Sequence, residues 1–179
     1  MASLPPDRRL QRVLHLARID ALSLAVVAAP AALFALCSGD WPGALVGAGV
    51  TLCGVAEWHG RDRLLHRQIA GIAWLCSAQL FCLLLILLYS WNLARLAQAE
   101  HLLALLPSFT RDQLAELLPD PEAVAGLLLA VQRAMAGALA LAALLYQGGM
   151  TFYYLRSTSA ARAVFAEPPV LVSTPPIRR

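Results

Sequence analysis

"LLLAVQRAMAGALALAALLYQGGMTFYYL" (residues 127–155) is apolar enough to lie in lipid, and it carries a single charge, Arg133. A bilayer needs roughly 20 apolar residues per helical span. Counting back from Arg156, such a span is Ala134–Tyr154. Arg133 then sits at the outer interface, where its stem lies along apolar surface and its guanidinium reaches lipid phosphates. The alternative span, Ala123–Leu145, would put Arg133 near mid-membrane, at about 3 kcal/mol on the gentlest scales. Such an arginine wants an acid at its own depth. The first and third spans are read as offering none, and the second only Glu57 at its cytoplasmic end, so interface placement is expected.

The rest of the chain agrees with a membrane reading. Hydrophobic residues make up 59% of the 179 and charged ones 14%, too apolar for an ordinary soluble domain. All 14 basic residues are arginine, which with abundant Ala and Leu suggests a bacterium with a GC-rich genome. The net charge of +3 is too small to argue for nucleic acid. Four cysteines (Cys37, Cys53, Cys76, Cys82) form no CxxC pair and read as small buried hydrophobes.

Working outward, residues 1–18 form a cytoplasmic amphipathic arm. Leu10, Val13, Leu14 and Ala17 share one face, while arginines at 8, 9, 12 and 18 lie mostly elsewhere. The arm reads either as an interfacial helix on anionic lipids or as the start of the first span. That span covers about 19–38, with Pro30 expected to kink it, and is a retained anchor rather than a signal peptide. "SGDWP" (38–42) is a tight turn. The second span, 41–58, has Trp41 and Trp58 at its two interfaces, and Gly43, Gly47 and Gly54 within it.

"HGRDRLLHRQ" (59–68) reads as a basic loop or helix start, and the third span as 71–91, ending at Trp91. An amphipathic extension (92–106) and a short helix (110–118, capped by Thr110 with Gln113) leave the membrane on the far side. Asp120 then caps a helix running from Pro121 to Arg156. The tail, 157–179, is Pro-rich and expected to lie in the cytoplasm.

Arginine placement sets orientation. The N-terminal arm has four arginines, the 59–68 loop three and the chain from Arg156 onward four, while the first turn has none. Both termini are therefore expected in the cytoplasm. The expected architecture is all-α: a polytopic four-helix transmembrane bundle over 19–156, with helices three and four extended beyond the bilayer through segment 92–133.

Glu57, Ser77, Gln79, Tyr146 and Gln147 fall at similar depths and make a polar layer in the cytoplasmic third. Two readings compete for it. Interhelical hydrogen bonds would fix helix register, at about 0.6 kcal/mol per pair; Gln79 and Gln147 are the expected partners. Alternatively the layer lines a cavity for an ion or small ligand. Glu57, His59, Asp62 and His66 read as a solvated, ion-paired loop rather than a metal site. No intramembrane carboxylate pair, phosphate loop or nucleophile elbow is found, so no catalytic residue, metal or cofactor is expected.

The stretches "GVAEWHGRDRLLHRQ", "SAQLFCLLLILLYSW" and "LLYQGGMTFYY" together resemble uncharacterised small bacterial membrane proteins with four predicted spans. The resemblance covers about residues 41–155 and implies architecture, with no activity attached.

The expectation is thus a non-enzymatic, multi-pass protein of the bacterial inner membrane. Its partners are the bilayer, anionic lipids at the N-terminal arm, and further copies of itself packed through small residues. The alternative is a subunit of a small oligomeric channel or transporter that uses the polar layer.

Overall fold

The computed structural model describes residues 5–96, 98, 102–103, 106–118 and 120–166. Among them are five helices and no strand: α1 (Pro6–Cys37), α2 (Trp41–Leu65), α3 (Ala70–Arg95), α4 (Ser108–Leu117) and α5 (Pro121–Ala166). Much of the extension at 92–106 and all of the tail from 167 lie outside the described residues.

Two tight turns fold the first three helices into consecutive antiparallel hairpins. In the first, Gly39 adopts φ +75°, a conformation that side chains resist. Its neighbour Asp40 donates its N–H to Ala35 O (2.9 Å) and accepts from Gly43 N (3.0 Å), capping α2. In the second, Gln68 N reaches back to Arg63 O (2.9 Å) while Arg67 takes φ 58°. α5 packs antiparallel on α3 and, along a thinner seam, on α1.

The apolar face of the N-terminal arm meets protein rather than lying alone on a membrane surface. α1 is one helix from Pro6, continuous through Pro30, and its Val13 and Ala17 are fully buried. They cluster with Leu64, Ile72, Leu75, Tyr154 and Ala161 at one end of the bundle. That end is longer than the sequence reading allowed. α2 continues through the supposed 59–68 loop to Leu65, and α5 runs past Arg156 to Ala166. Burial of Leu64 and Ala161 explains both extensions, since each lies on a face turned to the core.

α5, with 46 residues, is about 69 Å long. Asp120 Oδ1 accepts from Glu122 N (3.0 Å) at its start. α4 begins earlier than expected, at Ser108 behind Pro107, and no side chain caps it, so Thr110 lies inside the helix. Three helices are long and apolar enough to cross a membrane: Asp7–Cys37, Ala70–Arg95 and Pro121–Ala166. α2, richer in glycine and carrying Glu57 and the charges of its last turns, is not among them.

Candidate functional site

Glycines bring α1, α2 and α3 close enough for short polar side chains to meet. A Cβ on Gly47 would lie 2.8 Å from Ala32 Cβ, and one on Gly54 would lie 2.8 Å from Ala21 O. A Cβ on Gly43 would collide with the Asp40 cap and come within 3.3 Å of Ala35 Cβ. The glycine face of α2 is therefore filled by α1 of the same chain. On the other side, Gly60 and Gly71 allow backbone contact between α2 and α3, a Cβ on Gly60 falling 3.0 Å from Gly71 O.

At the level set by these contacts, three helices place one polar side chain each in the core. Asp20 (α1) is 2% exposed, while Glu57 (α2) and Gln79 (α3) are fully buried. Gln79 Nε2 donates to Asp20 Oδ2 (2.5 Å) and also to Glu57 Oε1. The two N–H bonds of one amide thus serve two carboxyl groups. From α5, the Tyr146 hydroxyl donates to Asp20 Oδ1 (2.8 Å), tying α5 to α1.

Several buried polar atoms of this layer have no partner: Glu57 Oε2, Gln79 Oε1, Gln147 Oε1 and the Tyr154 hydroxyl. Tyr154 is itself fully buried and lies within electrostatic reach of Glu57, Asp20 and Tyr146. An unpaired buried polar atom costs about 1–3 kcal/mol. No ion pair joins a basic side chain to Asp20 or Glu57 among the described residues.

The structure thus brings Glu57, Gln79 and Tyr146 together and separates two other members of the expected layer. Ser77 is exposed on the outside of α3. Gln147 is buried, but its amide donates to Cys82 Sγ (3.5 Å), beside the Cys53 thiol, and does not pair with Gln79. The expected Gln79–Gln147 bond is absent: the Gln79 N–H groups go to the two carboxyls, and the Gln147 amide is turned to Cys82. The expectations of no acid in the first span and no carboxylate pair inside the bundle are likewise corrected, because Asp20, the second residue of the 19–38 span, is buried within α1. The nearby histidines are engaged elsewhere. His59 accepts from Arg63 Nε (2.9 Å), and His66 lies 3.7 Å from Asp62.

Four exposed tryptophans mark two levels. Trp41 and Trp58 on α2, and Trp74 and Trp91 on α3, are each 17 residues apart, about 26 Å along a helix. The hairpin sets Trp58 level with Trp74, since His59 packs edge-on against the Trp74 ring at 5.1 Å. Arginines cover both levels: Arg61 over Trp58 (5.2 Å), Arg63 over Trp74 (5.5 Å) and Arg95 over Trp91 (5.7 Å). Trp74 had not been singled out in the sequence, although its 17-residue offset from Trp91 repeats that of Trp41 and Trp58. Gln79 is five residues from Trp74, so the cluster lies within about 8 Å of that level. Arg133 is exposed on α5.

At the opposite end, a cavity of about 650 Å³ opens between α3 and α5. Tyr89, Asn92 and Gln132 supply polar atoms to it, and Gln132 donates to Leu93 O (2.9 Å). Comparison of the chain with known protein families, curated proteins and solved structures finds no match.

Proposed function

We propose that this is a four-span inner-membrane protein, both termini cytoplasmic, whose Asp20–Glu57–Gln79–Tyr146 cluster is the cation site of a small oligomeric channel or transporter. One observation carries the reading: two acidic side chains are buried between helices with no basic partner among the described residues. A scaffold held by packing alone gains nothing from this. Charged groups at membrane depth cost about 3 kcal/mol even on the gentlest scales, and those retained mark ion and proton paths.

The membrane assignment of α2 rests on topology and tryptophans. Its neighbours α1 and α3 are both apolar enough to span, and tight turns join α2 to each of them. A helix between two such spans must cross back. The paired tryptophan levels, about 26 Å apart, match the hydrocarbon thickness and support this crossing. Arginines at Arg61, Arg63, Arg67, Arg156 and Arg162 favour the Trp58–Trp74 level as the cytoplasmic one. The same belt and the arginines of the N-terminal arm suit anionic headgroups. Catalysis is not part of this proposal.

The direct test is flux. Purified protein in vesicles with an imposed cation or pH gradient is expected to dissipate it, and Asp20→Asn and Glu57→Gln to lose that activity. Wild-type flux equal to that of empty vesicles contradicts the reading.

A second reading, self-association as the main role, is favoured by α5. Gly126, Gly137 and Gly148 recur every 11 residues, which keeps them near one face. A Cβ on any of them would meet nothing within 4 Å among the described residues. That face lets another helix approach closely, as the α2 face, already filled, does not.

A further inference from the structure

Two carboxylates, if both ionised, present four oxygens for hydrogen bonds. Gln79 supplies two N–H bonds and Tyr146 one O–H, and an amide nitrogen has no third to give. Glu57 Oε2 is left buried without a donor. Two further buried oxygens in the layer, Gln79 Oε1 and Gln147 Oε1, also lack a donor. One buried donor, the Tyr154 hydroxyl, is also without a partner, so three acceptors face one spare hydrogen and the layer is short of hydrogens.

We propose that Asp20 and Glu57 bind one exchangeable proton between them. This rests on the reading of the cluster as a cation site and names the cation. A proton on Glu57 Oε2 turns an acceptor without a donor into a donor, in a layer holding acceptors without partners. It also removes one of two like charges that share a single amide, a state which apolar surroundings oppose. A proton needs no cavity. A metal ion would need several oxygens spread around it at about 2.0–2.6 Å, whereas here both carboxyls are drawn onto one amide nitrogen. Among the described residues, no three His, Cys, Asp or Glu side chains gather into a set that holds a metal ion.

The groups facing the pair leave the proton to the acids. They are Cys53 on α2, Cys82 on α3, and Tyr146 and Tyr154 on α5. None of these is a base of arginine or histidine type. Tyr146 is half-exposed and touches Asp20, so it links the buried pair to the bundle surface.

Dicyclohexylcarbodiimide tests this on the full chain in phosphatidylcholine vesicles. The reagent adds across a protonated carboxyl: the acid proton goes to one nitrogen, the carboxyl oxygen bonds the central carbon, and an acyl shift gives a stable N-acylurea. Nothing leaves and nothing is oxidised. Peptide mass mapping is expected to find the adduct on Glu57 or Asp20, lost as pH is raised and unchanged by sodium at constant pH. Protection by sodium would overturn the proton assignment and leave the cation-site reading standing. The infrared C=O band of a protonated carboxyl reads the same proton without a reagent. It is expected in the wild type and is expected to be lost in Asp20→Asn with Glu57→Gln. Absence of both adduct and band at every pH overturns the proposal. A pH-dependent adduct in a protein without flux would sink transport and leave the proton site.

Discussion

Asp20 and Glu57, on different helices and 37 residues apart, accept hydrogen bonds from the same nitrogen, Gln79 Nε2. Three helices are thus joined by one amide, and the arrangement fails if any of the three side chains is removed alone.

Gln79→Leu is expected to be the most damaging single change in the layer. It strips both carboxyls of their amide donor, at about 2–3 kcal/mol for buried groups left unpaired. Adding Asp20→Asn should recover part of that loss, because one fewer acid then lacks a partner. Gln147→Leu should cost less, about 1 kcal/mol or below, since its amide donates only to a sulfur. Denaturant unfolding in detergent micelles measures all four proteins. Equal costs for Gln79→Leu and Gln147→Leu would contradict the assignment.

Gly47→Leu is expected to lower stability by about 1–3 kcal/mol through overpacking, without changing oligomer mass. The reason is that Gly47 faces Ala32 of its own chain. By the same logic, Gly137→Leu on α5 should leave folding intact and reduce oligomer mass if copies meet there. Native mass measurement in nanodiscs separates the two, and dissociation by Gly47→Leu would reverse the assignment.

The helical hairpins were legible because apolar blocks, tight turns and Trp41 with Trp58 are local signals. The long ends of α2 and α5 beside the Trp58–Trp74 level were not. Charged residues such as Arg61 and Arg63 look like a loop until the buried Leu64 on the same turns is seen to meet Val13 and Tyr154. Glu57, Gln79 and Tyr146 were visible as polar residues at one depth. Asp20 was missed when the first span was read as free of acids, yet hairpin counting would have found it. Asp20 lies 18 residues before Ser38, and Glu57 lies 17 after Asp40, so folding about that turn sets them level. Gln79 answers Glu57 across the second turn in the same way. Pairing of Gln79 with Gln147 failed because equal depth does not fix direction, and the facing carboxyls are better acceptors than an amide.

Orientation is open to labelling. With Cys37 replaced by Ser, a cysteine at Asp112 should react with an impermeant thiol reagent in intact cells, and one at Arg63 should not. Reaction at Arg63 would reverse the assignment of the cytoplasmic face.

Arg133→Gln is expected to leave stability within about 0.5 kcal/mol of the wild type, as for surface changes generally. The side chain is exposed on α5, and an interfacial arginine gives up phosphate contacts and stem packing. A large loss in unfolding measurements would place Arg133 in a buried contact, in this chain or between copies.

The central claim, that Asp20 and Glu57 form one site, is tested most directly by a double-mutant cycle in unfolding free energy. The four proteins are the wild type, Asp20→Asn, Glu57→Gln and the double variant. Groups in one hydrogen-bond network couple by about 0.5–3 kcal/mol, and distant groups add to within about 0.5 kcal/mol. A coupling energy of about 1 kcal/mol or more is the predicted result, and strict additivity of the two changes would contradict it.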